Sequence, residues 1–236
     1  MTRLSIVVPA YNEELLLPAT LRALKDAVAA LGLPAEIIVV DDGSTDRKAD
    51  IARGLDACVV PVALRHIAGA RNAGGRAATG DLLIFVDADT IVPIEVLRAA
   101  VKAYEGGAVG GGAGVQYAVN DPRWAVVVTA IVMWVLRQAK WAAGCFVFAR
   151  KDVFDRVGGF DERYFASEEI HFSRAVKKHG RFVMLEGAVI TSARKARLFS
   201  ARAVFVQFLA MLWPGALKRR DRLGFWYDGQ REKKPE

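Results

Sequence analysis

A short apolar run that ends in two carboxylates constrains the fold of this chain more than any other stretch. Leu82–Val86 holds five consecutive apolar residues, and Asp87 and Asp89 follow it directly. Such a run is typical of a strand that is covered on both faces of a parallel sheet. Ligands of open α/β sheets bind at the carboxyl ends of the strands, so both carboxylates are predicted to face a ligand cleft.

Two carboxylates one residue apart suit a Mg²⁺ or Mn²⁺ ion. These hard cations bind through one or two carboxylates and take further oxygens from substrate phosphates. The pattern therefore indicates a metal-diphosphate substrate, with Asp87 and Asp89 as candidate ligands. A structural alternative is that Asp87 ends its strand and Asp89 caps a helix that begins near Pro93.

Strands and helices alternate along the sequence. This alternation predicts an α/β fold with a Rossmann-like, mostly parallel sheet flanked by helices. The strands are expected at 4–10, 37–40, 58–64, 81–86, 144–149 and 182–185, and the main helices at 18–31, 69–79, 151–157 and 168–179.

Two segments of the second half interrupt this alternation. Six glycines between 106 and 114 predict a boundary or a flexible turn beside the cleft. Asp121 and Pro122 open a predicted helix in which 124–136 is apolar except for one threonine. At about 20 Å this apolar stretch is too short to cross a bilayer, so we interpret it as a buried or acceptor-lining helix.

Composition and charge limit the class of protein. With 53% hydrophobic and 25% charged residues, the 236-residue chain is predicted to fold around a substantial core. Two cysteines and no disulfide framework favour a cytoplasmic location. The net charge of +7 is concentrated between 194 and 222, so the body is neutral and a nucleic-acid partner is not expected.

The segment after residue 193 is predicted to be an amphipathic helical extension. Basic residues alternate there with an apolar stretch, 198–213, a mixture that is typical of a helix lying on an anionic membrane at its inner face. The alternative is that the apolar face packs within the protein or against a second copy in a homodimer. We therefore divide the chain into 1–193 and 194–236.

Five sequence motifs come in the order in which family 2 glycosyltransferases carry them. They are SIVVPAYNEE, EIIVVDDGSTD, GARNAGGRAATGDLLIFVDADT, GGFDE and SEEIHFSRAVKKHG. The chain resembles that family, with its GT-A fold, over roughly residues 3–195. The resemblance implies a nucleotide-binding half, 1–105, and an acceptor-binding half, 106–193.

Site residues carry over from the resemblance one by one. Asp42 is implied to accept from the N–H of a pyrimidine base, which favours a UDP-sugar donor. Asp89 is implied to be the more direct metal ligand. The nucleotide-binding residues implied are Pro9, Ala10, Tyr11, Glu13, Asp42, Arg71, Asp87, Ala88 and Asp89.

Glu168 and Glu169 stand where the family usually carries Glu-Asp, whose second acid is the catalytic base. Glu169 replaces that aspartate with a longer side chain, so either glutamate can be the base. A base must come within about 3 Å of the acceptor hydroxyl, so one methylene matters. The structural alternative is a pair of exposed acids that complement the dipole of their helix.

The resulting hypothesis is an inverting, metal-dependent glycosyltransferase that transfers one sugar to an acceptor hydroxyl, either lipid-linked or on a small molecule. One alternative is a nucleotidyltransferase that makes nucleotide sugars, but Glu13 and Glu14 after the first strand would repel a triphosphate. The other is a non-catalytic nucleotide-sugar-binding protein. Such a protein would more plausibly have lost Asp42, Asp87 or Asp89.

Overall fold

The structure is a computed structural model that describes residues 1–117, 123–192 and 216–219. The strands are β1 Leu4–Ala10, β2 Ala35–Asp42, β3 Cys58–Val62, β4 Leu82–Val86, β5 Thr90–Ile91, β6 Gly110–Tyr117, β7 Phe146–Arg150 and β8 Phe182–Thr191. The helices are α1 Leu17–Leu31, α2 Lys48–Gly54, α3 Ile67–Ala77, α4 Ile94–Glu105, α5 Arg123–Ala139, α6 Lys151–Val157 and α7 Glu168–Lys177, and Ala216–Lys218 forms a 3₁₀ turn.

The alternating first half folds as predicted. Proline in its first turn supports the start of α1, and Gly32 ends the helix in a left-handed conformation with φ 64°. β4 is buried at all five positions, as its unbroken apolar run requires. The helix after β5 begins behind Pro93, so Asp89 is not its N-cap and that part of the alternative is wrong.

All eight strands form one mixed sheet in the order β3-β2-β1-β4-β7-β6-β8-β5. β1 pairs in parallel with β2 and β4, whereas β7 is antiparallel to β4 and β6. Apolar side chains cover both faces of the sheet in two clusters. The expected α/β architecture is confirmed, and the carboxyl ends of β1, β2 and β4 lie at one edge.

The glycine-rich stretch is a turn only at Gly106 and Gly107, and the rest of it is not the predicted flexible turn. Residues 110–114 form the buried first half of β6, where glycine is required by close packing. A Cβ on Gly111 would lie 2.3 Å from the carbonyl oxygen of Val183 and 2.5 Å from Cζ of Phe148. The glycines therefore let neighbouring strands and a phenylalanine ring approach this strand.

The apolar helix α5 differs from its prediction in burial. Seven of its large apolar side chains are exposed, so the expectation of a buried helix is wrong. Asp121 and Pro122, predicted to open it, lie outside the described residues. In the described part of the chain, every helix is too short or too polar to cross a membrane.

The predicted helical extension lies outside the described residues except for 216–219. That short piece contacts the second half of the chain, because the backbone N–H of Phe165 donates to the carbonyl of Leu217 at 2.8 Å. The division at residue 105 into nucleotide and acceptor halves stays a prediction, since one sheet runs through both.

Candidate active site

A buried arginine connects the carboxylates at the end of β4 with those at the start of α7. Arg71 is 2% exposed, and its Nη2 donates to Asp87 Oδ1 at 3.0 Å and to the carbonyl of Gly144 at 2.9 Å. Its Nη1 donates to Glu168 Oε1. Burial alone lowers the pKa of Arg71, but the surrounding carboxylates outweigh burial and raise it.

Small residues in α3 bring Arg71 to this position. A Cβ on Gly74 would lie 2.3 Å from Cγ1 of Val7, and one on Gly75 would lie 2.4 Å from Cζ of Phe154. The helix therefore packs directly on β1 and α6. Its start is fixed by His66, whose Nδ1 accepts from the N–H of Gly69 at 3.1 Å.

The two aspartates predicted to bind a metal are both partly exposed at the end of β4. A turn holds Asp87, since its N–H donates to the carbonyl of Cys145 and its carbonyl accepts from Thr90. Asp89 accepts from the N–H of Ser192 at 3.2 Å through its own carbonyl. Ala88 between them is buried, and its carbonyl accepts from the Thr20 hydroxyl at 2.9 Å.

The donor set at this turn fits Mg²⁺ or Mn²⁺. Asp87 and Asp89 offer hard carboxylate oxygens, and the side chain of Asp87 remains 38% exposed although Arg71 binds one of its oxygens. Within residues 1–117, 123–192 and 216–219, no group of three or more His, Cys, Asp and Glu side chains is arranged to hold a metal. Two carboxylates are sufficient where a substrate diphosphate supplies further oxygens.

Glu168 and Glu169 begin α7 and have different surroundings. Glu168 is 4% exposed and ion-paired with Arg71, so it is committed to the interior. Glu169 is partly buried and lies beside Gly144, where an added Cβ would be 3.5 Å from its carboxyl carbon. Ser167 starts the helix in a left-handed conformation, φ 61°, and makes no side-chain cap.

Burial and the adjacent Glu168 carboxylate outweigh the opposing charge of Arg71 and together raise the pKa of Glu169 to about 8. A glutamate with this pKa is a far stronger base than an exposed one. The expectation of two exposed acids at a helix start is wrong for this pair. Which glutamate is the base stays a prediction, and the environment favours Glu169.

The predicted nucleoside-binding residues Pro9, Ala10, Tyr11 and Glu13 lie at the end of β1 and in the loop after it. Pro9 is partly exposed at the end of the strand, Ala10 is buried, and Glu13 is 8% exposed. The loop they form is joined to the loop after β2 by backbone-to-side-chain hydrogen bonds. These are Asn12 N to Ser44 Oγ at 2.9 Å, Thr45 N to Asn12 Oδ1 at 3.0 Å and Glu14 N to Asp46 Oδ2 at 2.9 Å.

Asp42 holds the loop after β3. Its carboxylate accepts the backbone N–H groups of Leu64 at 2.6 Å, Arg65 at 2.7 Å and His66 at 2.8 Å. A carboxylate accepts about four hydrogen bonds, so these three leave little capacity for a base N–H. Arg65, with φ 50°, stacks on the Tyr11 ring 3.5 Å from its centroid. Base recognition by Asp42 stays a prediction, and direct nucleotide contact by the buried Arg71 does as well.

Three residues of this region were missed by the sequence reasoning. Lys48 is completely buried, and its Nζ lies 2.8 Å from Asp41 Oδ1 beneath the two joined loops. Arg65 covers the Tyr11 ring, and Gly144 supplies a carbonyl to Arg71. No local pattern marks any of them, because each acts through a partner that folding brings close.

Comparison with known proteins agrees with this geometry. The model of glycosyl transferase family 2 matches residues 5–160, which is well over half of the chain and includes β1 to β4, Arg71 and both aspartates. The chain belongs to glycosyl transferase family 2. Membership supports the glycosyltransferase hypothesis over the nucleotidyltransferase alternative.

Curated relatives resemble part of this family 2 chain. The undecaprenyl-phosphate 4-deoxy-4-formamido-L-arabinose transferase of Serratia proteamaculans is 40% identical over 112 residues, which is 44% of this chain and 34% of the relative. The protein of the same name from Pseudomonas paraeruginosa is 42% identical over 110 residues, or 43% and 32%. The matched stretch therefore spans about a third of these relatives.

Solved structures share the fold. The mannosyltransferase of Pyrobaculum calidifontis in complex with GDP-Man and Mn²⁺ has a TM-score of 0.67 at 22% identity, covering 89% of this chain and 62% of that one. S. aureus TarS 1-349 in complex with UDP-GlcNAc gives 0.63 at 21%, covering 81% and 59%. Glucosyl-3-phosphoglycerate synthase of Mycobacterium tuberculosis with Mn²⁺ and UDP gives 0.57 at 23%, covering 89% and 79%.

Proposed function

We propose that this chain is an inverting glycosyltransferase that moves a sugar from a UDP-sugar to a lipid-linked acceptor at the cytoplasmic face of a membrane. The observation that carries the proposal is the buried Arg71, which joins the Asp87 turn to the helix of Glu168 and Glu169. One residue thereby places a candidate donor site beside a candidate base.

On the donor side, Asp87 and Asp89 would hold Mg²⁺ or Mn²⁺. The ion would supply Lewis-acid stabilisation of the negative charge that grows on the departing diphosphate. Arg71 fixes one oxygen of Asp87 and so orients the carboxylate before donor arrives. The Tyr11 and Arg65 stack and the Asp42-bound loop would form the nucleoside end of the cleft.

On the acceptor side, the ionised form of Glu169 would take the proton from an acceptor hydroxyl as the hydroxyl oxygen attacks the anomeric carbon. The sugar bond forms on the face opposite the leaving diphosphate, which inverts the configuration. Glu168 would keep Arg71 in place rather than accept a proton, because its carboxylate already pairs with that guanidinium.

A phosphate oxygen is a second candidate nucleophile. The names of the partial relatives support it, since they include undecaprenyl phosphate, whose phosphate oxygen could accept a sugar. A phosphate is already ionised at neutral pH and needs no base. Replacing Glu169 would then have little effect on turnover, which separates the two chemistries.

The partial relatives' lipid substrate also supports a location at the membrane. The basic extension 194–222 would contribute by attraction to anionic lipid, and high salt would weaken it. A homodimer through the same extension is the alternative that light scattering would reveal.

Donor binding tests the proposal directly. Thermal shift with a panel of nucleotide sugars and Mn²⁺ should give stabilisation by a UDP-sugar that disappears with chelator. Asp89→Asn should remove the metal-dependent part, whereas Asp81→Asn, at the opposite end of β4, should retain it. Equal stabilisation of both variants, or stabilisation that survives chelation, would contradict the proposed donor site.

A further inference from the structure

Within the described residues, helix α5 presents a large apolar surface that is left exposed. Its most exposed side chains are Trp134 at 64%, Ile131 at 59% and Val127 at 59%. We call the whole exposed set the apolar face of α5. It consists of Val126, Val127, Val128, Ile131, Val132, Trp134 and Val135.

This surface is too wide for a simple helix seam. The apolar positions that contact a single partner helix are spaced three and four residues apart. In α5, by contrast, three consecutive valines, 126–128, are all exposed. Among the helix positions whose burial is described, 124, 129, 133, 136 and 139 are less exposed, and α5 packs against β6. The helix therefore projects from the domain with several sides exposed. Such a surface suits the apolar part of a lipid layer better than a single partner helix.

The charges on α5 and the loop after it have one sign, whereas the exposed Glu186 adjoins Leu185, whose carbonyl accepts from Arg137 at 3.0 Å. Residues 123–151 contain no Asp or Glu, and Arg137 and Lys140 are exposed near the helix end. An anionic surface complements these cations. A second copy of a chain with net charge +7 offers a less favourable match.

The end of α5 is hydrogen-bonded to the active site. Residue Ala142, three positions beyond the helix, donates its N–H to Ser173 Oγ at 3.1 Å. The Ser173 hydroxyl donates to the carbonyl of Glu169 at 2.7 Å, and Gly144 accepts from Arg71. A membrane or other surface that binds α5 would therefore lie next to Glu169, where the acceptor is predicted to bind.

We propose that the apolar face of α5 inserts into the surface of an anionic lipid bilayer and lies there parallel to it. An interfacial helix buries apolar side chains at the boundary between headgroups and acyl chains while its cations contact anionic headgroups. The contact would deliver a lipid-linked acceptor to the active site, and this role rests on the proposed function.

Co-sedimentation with vesicles that contain no acceptor tests the contact. The full chain should bind phosphatidylglycerol vesicles more strongly than phosphatidylcholine vesicles, and Ile131→Asp should weaken binding by at least about tenfold. Lys140→Glu should weaken binding to the anionic vesicles alone. Leu15→Asp, which changes a leucine 41% exposed outside α5, is the matched control and should bind as the parent does.

Three outcomes would overturn the proposal. The first is equal vesicle binding by Ile131→Asp and the parent chain. The second is a Tm for Ile131→Asp that falls far below that of Leu15→Asp, which would mean that protein covers the face. The third is a parent dimer in light scattering that Ile131→Asp dissociates.

Turnover separates this proposal from the proposed function. With a UDP-sugar donor, Ile131→Asp should lose more of the parent rate on a long-chain polyprenyl phosphate in vesicles than on a short, water-soluble one. If the parent transfers to neither acceptor, the proposed function fails while vesicle binding still decides the role of α5. If it transfers to both and the variant matches it in vesicles, the membrane contact fails alone.

Discussion

The Nη2 atom of Arg71 lies 3.0 Å from Oδ1 of Asp87, in an ion pair between a buried and a partly exposed side chain. Arg71 is 2% exposed, whereas the Asp87 side chain is 38% exposed. The inner guanidinium is therefore fixed by the protein, and the outer carboxylate remains accessible to a ligand. Arg71 therefore orients the Asp87 carboxylate but leaves its second oxygen accessible to a ligand.

The network around Arg71 should be costly to break from one side. Arg71→Met leaves Glu168 buried without its partner, and we expect a loss of about 3–5 kcal/mol in the free energy of unfolding by urea. Adding Glu168→Gln should recover part of that loss. Arg76→Met, on the exposed side of α3, is the control and should change stability by less than about 0.5 kcal/mol. Strict additivity of Arg71→Met and Glu168→Gln would mean that the two side chains are not coupled.

The identity of the base follows from two glutamine variants. If an acceptor hydroxyl is the nucleophile, Glu169→Gln should lower kcat by about 10² to 10⁴ and leave donor binding unchanged. Glu168→Gln should chiefly lower stability, because Glu168 is the buried partner of Arg71. The reverse pattern would move the base to Glu168, and full activity of both variants would favour a phosphate nucleophile.

The raised pKa of Glu169 predicts a pH-dependent stability. The folded chain keeps a proton on Glu169 up to about pH 8, whereas the unfolded chain releases it near the ordinary value of 4.5. Stability should therefore fall as pH rises through this window, and Glu169→Gln should escape that fall. The Tm of the variant minus that of the parent, measured with chelator, should grow from pH 5 to 8 and then level off. Parallel Tm curves would show that Glu169 titrates normally.

The packing of β6 predicts an asymmetric response to added methyl groups. Gly111→Ala places a Cβ 2.3 Å from a backbone oxygen, which cannot move away as a flexible side chain can. We expect a loss of roughly 1–3 kcal/mol or a failure to fold. Gly54→Ala in α2, with nothing within 4 Å of the new Cβ, should be neutral or stabilising. Similar urea midpoints for both variants would contradict the packing explanation.

The sequence predicted those parts of the fold that are encoded locally. Apolar runs predicted β1 and β4, and a proline and a glycine marked the two ends of α1. Glycines in β6 were misread, because a glycine run has the same local signature whether it bends freely or packs tightly. Only Val183 and Phe148, which come from other strands, distinguish the two cases.

The sequence allowed the main residues of the candidate site to be named. It did not show which of them form hydrogen bonds or ion pairs with each other. The aspartates after β4 could be named because they follow an apolar run, and the glutamates of α7 because their motif resembles that of the family. Arg71 and Glu168 are 97 positions apart, so no local pattern shows that they pair. The same holds for Asp42, whose three backbone donors arrive from the loop after β3.

Strand β5 pairs with β8, with Thr90 opposite Thr191, and Ser192 then donates to the carbonyl of Asp89. During synthesis the aspartate turn leaves the ribosome about 100 residues before these partners, a delay that sequence-distant pairing imposes on folding. The parallel strands β1, β2 and β4 can already associate in that interval. Asp89 thus gains its last backbone support only when β8 has been translated, so a nascent chain that ends before β8 has the aspartate turn without its closing strand.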